Sequence, residues 1–188
     1  MTLSRFSRAA SIIFHYLTDA LARLTPRMFA AWLLAGLLAG ALARLCARKS
    51  ASRGAAAALA FLLTAYLCAV FTVTVYIRKP AAQIRVLPEL FWSYRAIREG
   101  RHSLIGEVFW NVAFFIPAGF LLALALRRRL WRVPLLAFLL SLTIELAQLV
   151  LRRGFFELDD LFHNTLGALL GLALFLPLRA FLRSRDRL

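Results

Sequence analysis

At 188 residues, with 62% hydrophobic side chains and a formal net charge of +15, the chain is too apolar for a soluble domain of its size. Its mean hydropathy of +0.73 points to an integral membrane protein. The positive charges lie in the gaps between apolar runs. That suits loops against anionic headgroups and excludes a soluble nucleic-acid-binding fold, so membrane lipids rather than nucleic acid are the expected surroundings.

Residues 1–27 come first. Ala9–Leu24 is broken by His15 and Asp19 and so lacks the clean apolar core of a cleavable signal. Ile13, Leu17, Leu21 and Leu24 share one helical face, and Arg8, Ser11, His15 and Asp19 share another. This pattern predicts an amphipathic helix lying in the membrane interface. Five apolar runs follow, at Met28–Leu45, Ala55–Ile77, Leu104–Leu126, Val133–Leu151 and Leu161–Leu182. Each approaches the roughly 20 residues that cross a bilayer core. The expected fold is therefore all-α, a polytopic membrane bundle of about five transmembrane helices. It divides into a two-helix segment (28–77), a membrane domain (78–182) with an interfacial link over 78–103 and three spans, and a basic tail (183–188). Gly36–Gly40 and Gly167–Gly171 have the spacing that lets helix backbones approach closely, and the first pair could join two copies of the chain. Cys46 and Cys68 read as small apolar fillers with no disulfide between them.

The apolar runs carry polar side chains that are costly in hydrocarbon: Glu107 and Asn111 in the third, Glu145 and Gln148 in the fourth. A carboxylate there costs about 2.5–3.5 kcal/mol even on the lenient insertion scale. Asp159, Asp160, His163 and Asn164 stand at the head of the fifth. Successive spans alternate direction, so the start of the third, the end of the fourth and the start of the fifth share one membrane face. Glu107/Asn111 at i, i+4 and Glu145/Gln148 at i, i+3 each lie on one side of their helix, with Ser141 a turn further back. The three patches are expected to meet in one leaflet as a carboxylate and amide pocket. Arg152 and Arg153 would stand at its mouth, under a link rich in arginine and aromatic residues (Arg85, Phe91, Trp92, Tyr94, Arg95, Arg98, Arg101).

Each feature also has a structural reading. Asn111 and Gln148 can be interhelical glue worth about 0.6 kcal/mol apiece. Pro117 would kink the third span, with Gly119 accommodating the kink. One of Asp159 and Asp160, best Asp160, would cap the fifth helix. The chain has no Cys/His metal set, no serine–histidine pairing and no Gly-rich phosphate loop, so neither metal nor cofactor is expected. The Lys and Arg count is tied between the two sides of the membrane. The short, almost wholly basic first and third links favour the cytoplasm and place the 78–103 and 152–158 links outside.

The strings NVAFFIPAGF (Asn111–Phe120), IELAQ (Ile144–Gln148) and RGFFELDDLFHNTLGALLG (Arg153–Gly171) resemble, in order and spacing, the three motifs of the VanZ-like membrane proteins. The resemblance covers roughly Arg78 to Leu182. It implies functional weight at Asn111, Pro117, Gly119, Glu145, Gln148, Asp159, Asp160, Asn164 and Gly167. Glu107 stands outside those motifs and rests on the physical argument alone. The namesake of the family is an accessory product of glycopeptide resistance clusters, linked to low-level teicoplanin resistance. Residues and resemblance together suggest a multi-pass protein of the bacterial cytoplasmic membrane. Its pocket would bind a polar headgroup, from a lipid-linked cell-wall precursor or a glycopeptide. An intramembrane enzyme acting on a lipid phosphate or pyrophosphate, or a small transporter component, are the alternatives.

Overall fold

The computed structural model describes residues 2–47, 50–80, 82–83 and 85–185. Seven α-helices account for most of it: α1 Thr2–Ala22, α2 Pro26–Cys46, α3 Ser50–Phe71, α4 Trp92–Arg98, α5 Leu104–Ala125, α6 Arg132–Val150 and α7 Leu158–Arg185. Two short strands, β1 (Val86–Leu87) and β2 (Phe156–Glu157), complete it. Arg48 and Lys49 of the first basic link fall outside the described residues, as does the end of the basic tail, of which α7 takes in the first part.

Among the described residues, five helices are long and apolar enough to cross a membrane: Pro26–Cys46, Arg53–Tyr76, Leu104–Ala125, Arg132–Val150 and Leu158–Phe181. They correspond to the five apolar runs. Pro26 starts α2 at a position where its missing N–H is no loss. The last turns of α3 widen into a π-helical segment, Thr72–Tyr76, in which Ile77 N–H reaches back five residues to the Thr72 carbonyl. The hydroxyls of Thr72 and Thr74 return hydrogen bonds to the Cys68 and Val70 carbonyls.

Glycines set the helix spacing. The most extensive packing is α5 on α7. A Cβ at Gly119 would run into the Ala168 backbone, one at Gly167 into the Val112 carbonyl, and one at Gly171 into the Ile116 carbonyl. Gly119 is therefore a close-approach residue between α5 and α7. Pro117 itself faces outward, and the Tyr66 hydroxyl donates to the Phe114 carbonyl, three residues before it, at 2.7 Å. Gly36 and Gly40 are buried against Phe61 and Ala57 of α3. The face considered for joining two copies is thus occupied within the chain.

Helix α1 packs on the start of α5: Trp110 Nε1 donates to the Ile13 carbonyl at 2.9 Å, and Gly106 leaves room for Ile12 and Tyr16. Its half-buried side is Ile12, Ile13, Tyr16, Leu17 and Ala20, whereas Leu21 is exposed. The two long links are tied by a parallel pairing of Val86 with Phe156 and Leu87 with Glu157. A pairing this short carries no hydrophobic periodicity. It nevertheless fixes the 78–103 link and the α6–α7 link at one end of the bundle.

Candidate functional site

At that end the polar side chains of the spans meet. Asn111 on α5 donates to Asp160 Oδ1 on α7 at 2.5 Å, and Asn164 on α7 donates to Ser141 Oγ on α6 at 2.8 Å. Glu145 on α6 accepts the Glu157 N–H at 2.8 Å, while Gln148 donates to the Thr74 carbonyl of the π turn at 3.0 Å. Asn111, Ser141, Glu145, Gln148, Asp160 and Asn164 are all buried. Every one of these bonds joins different elements, so the polar residues hold the bundle together as well as forming its core.

The centre of the cluster is Arg78, which the sequence reading left in the interfacial link. Its guanidinium lies 3.4 Å from Glu107 Oε1 and within electrostatic reach of Tyr16, Asp160 and Glu145. Burial alone would lower the pKa of this guanidinium, but the surrounding acidic groups raise it above its ordinary value. Glu157 is the second addition. It is buried, accepts from Trp92 Nε1 at 3.1 Å, and has its carboxyl pushed up to about 8 by desolvation together with the nearby Glu107 and Glu145 charges. Four carboxyl groups (Glu107, Glu145, Glu157 and Asp160) thus surround one arginine.

Gly154 roofs the cluster: a Cβ there would sit 2.8 Å from Gln148 Oε1 and 3.2 Å from Arg78 Nη1. Three buried acceptors facing these helices have no hydrogen-bond partner among the described residues: Glu145 Oε1, Gln148 Oε1 and Asn164 Oδ1. Buried polar atoms left unpaired cost on the order of 1–3 kcal/mol each, and such atoms call for a donor.

Other predicted site residues do different work. Asp159 accepts from the Phe91 N–H and, through Oδ2, from Ser93 N at 2.9 Å and Ser93 Oγ at 2.5 Å. It latches the start of α4, where Phe91 has a left-handed backbone. The capping carboxylate is therefore Asp159, on a helix distant in sequence, and Asp160 belongs to the polar core. Arg153 donates to the Tyr76 and Arg78 carbonyls and stacks over the Tyr76 ring. With Arg23 on the Ile77 carbonyl and Gln148 on that of Thr74, it satisfies the free carbonyls at the end of α3. Arg152 is exposed with a φ of 53°, the left-handed turn that ends α6. Arg153 thus lies beside the cluster, bonded to the backbone of Arg78. His163 is buried and shares a 2.8 Å hydrogen bond with the Tyr94 hydroxyl, beneath the α4 segment.

Asp159, α4 and the β1–β2 pairing close the cluster from the link side. Its accessible flank is elsewhere, where the side chains of Arg78 and Glu107 are 21% and 26% exposed. A small recess lined by Tyr16, Asp19, Arg23, Val73, Ile77 and Arg78 leads to it between α1 and α3. Among the described residues, no three His, Cys, Asp or Glu side chains are grouped as metal ligands.

Fold and site together define a polytopic membrane helix bundle with a largely buried polar core near one end. Residues 63–182, more than half of the chain, match the VanZ/LLP1 family, and the chain belongs to that family. The match takes in the whole of the polar core. No curated protein and no solved structure gives a significant match.

Proposed function

We propose that this protein binds a donor-rich polar headgroup in the Arg78–Glu145 cluster, as a binding or shielding protein of the bacterial cell envelope. The single observation behind this reading is the set of unpartnered buried acceptors, Glu145 Oε1, Gln148 Oε1 and Asn164 Oδ1, in a cluster where carboxyls outnumber cations. Ammonium groups and sugar hydroxyls donate to such acceptors, and an ammonium also complements the excess of carboxyls. Lipid-linked cell-wall precursors and glycopeptides such as teicoplanin both carry amino and sugar groups, and family membership is consistent with a contribution to teicoplanin-type resistance. The short basic 127–132 link supports a cytoplasmic membrane location with the cluster in the outer leaflet.

The test is equilibrium binding to protein reconstituted in nanodiscs, with labelled lipid-linked precursor and labelled teicoplanin measured in parallel. Saturable binding of either, lost in Gln148→Leu, supports the reading. Linear, unsaturable uptake of both would sink it.

A second reading follows from Glu157. A carboxyl pushed up to about 8 is poised for proton transfer near neutral pH, which suits a general acid or base acting on a lipid phosphate. Turnover of a lipid phosphate that disappears in Glu157→Gln would favour it over simple binding.

A further inference from the structure

A separate cavity lies on the other side of α3. It is a groove of about 1100 Å³ between the first half of α2, the last half of α3 and Leu140 of α6. Its existence follows from residue size. Helices α2 and α3 meet tightly at Gly36, Gly40, Ala57 and Phe61, but small side chains (Ala31, Ala35, Thr64 and Cys68) line both walls above that contact and leave a gap. Trp32 reaches across, its Nε1 donating to Thr72 Oγ1 at 3.0 Å, so these two polar groups of the wall are paired with each other.

The groove has the dimensions and polarity of one leaflet. From Thr25 to Ala35 a helix rises on the order of 15 Å, about half of the roughly 30 Å hydrocarbon core. Its deep end is apolar. Its shallow end carries Thr25, Arg27 and Tyr76, the residue types of the headgroup level. Arg27 is exposed and has no ion-pair or hydrogen-bond partner among the described residues. Arg153, by contrast, is fixed over Tyr76 and bonds carbonyls. The free cation at the mouth is therefore Arg27.

We propose that this groove is a binding site for one acyl chain of an anionic phospholipid, whose phosphate sits at Arg27. The site is independent of the polar cluster, from which the π turn separates it. Thr72 and Tyr76 line the groove, and the Thr74 carbonyl faces Gln148 instead.

The test uses full-length protein in phosphatidylcholine nanodiscs. These carry a trace of phosphatidylglycerol bearing a photoactivatable diazirine on its acyl chain, and crosslinks are mapped by peptide mass spectrometry. Label should concentrate on residues 25–35 and 64–76. Unlabelled phosphatidylglycerol should displace it better than phosphatidylcholine, by roughly fivefold for the single arginine. Arg27→Gln should abolish that preference while leaving the labelled positions unchanged, and Ala35→Phe or Thr64→Leu should remove the label by filling the groove. Label spread evenly over the exposed leucines Leu33, Leu34 and Leu37 would mean ordinary bulk lipid and overturn the site. A preference unchanged in Arg27→Gln would overturn the assigned phosphate position. The wild-type map decides the location even where a filling variant does not accumulate.

Discussion

Removing the guanidinium of Arg78 should be among the most damaging single changes in the polar core. In Arg78→Gln the cation that faces Glu107 at 3.4 Å, and that lies within reach of Glu145 and Asp160, is gone while the acidic groups remain. Breaking a buried ion pair by deleting one partner costs about 3–5 kcal/mol. Glu107 and Arg78 are each about a quarter exposed, which screens part of the interaction, so the low end, about 3 kcal/mol, is the expected loss. A loss of that size lowers steady-state abundance several-fold. Adding Glu107→Gln removes one of the stranded carboxyls and should recover a substantial part of it, a non-additivity expected of contacting groups. Arg78→Lys, which keeps the charge but not the planar fork, should fall between the two. Membrane abundance and heat survival in detergent, measured by fluorescence-detected gel filtration, read all four proteins. If Arg78→Gln accumulates and survives heating like wild type, Arg78 is not the central counter-ion and the electrostatic account of the core is wrong.

Further outcomes follow from the same contacts. Glu157 holds its proton more tightly in the fold than in the unfolded chain, so its contribution is full below about pH 4.5 and is lost as pH rises towards about 8, at no more than about 1.4 kcal/mol per unit. Heat survival should therefore fall over that window, and Glu157→Gln should flatten the slope; an equally steep slope in the variant would contradict the assignment. Gly167→Leu should cost abundance outright, because its side chain would have to displace the Val112 backbone, whereas Gly100→Ala, with open space around it, should be limited to a backbone cost; equal abundance in wild type and Gly167→Leu would refute the close α5–α7 contact. Asp159→Asn should loosen α4, which limited proteolysis within 85–101 would detect as faster cleavage than in wild type. Asn111→Ala combined with Glu145→Gln should impair ligand binding no more than the worse single change, and strictly additive losses would argue against one shared site.

Much of this architecture is written locally in the chain. The five spans follow from runs of apolar side chains, and the meeting of Asn111, Glu145, Asp160 and Asn164 follows from alternating helix directions with costly polar groups turned inward. What stayed hidden depends on contacts distant in sequence. Arg78 reads as one more headgroup-level cation until the fold brings Glu107 beside it, although its place directly after a long uncharged run was a usable signal. Asp160 looks like the better cap for its own helix, yet it accepts from Asn111, and the oxygens of its neighbour Asp159 are taken by Phe91 and Ser93. Arg153 looks like a free cation at a pocket mouth, but the carbonyls ending α3 claim it. Periodicity assigns faces and depth, and cannot say which of two nearby acceptors a long side chain will reach.

The most direct measurement of the central claim compares Glu145→Gln with wild type for both membrane abundance and headgroup binding in the same nanodisc preparation. Gln is close in shape and keeps an oxygen for the Glu157 N–H, so the variant should insert and accumulate normally. It loses the charge and acceptor character at Oε1, so saturable binding of the lipid-linked precursor or of teicoplanin should be lost. Normal abundance without binding is the predicted result. Unchanged binding, or a variant that fails to accumulate, would show Glu145 to be a structural strut and contradict the account.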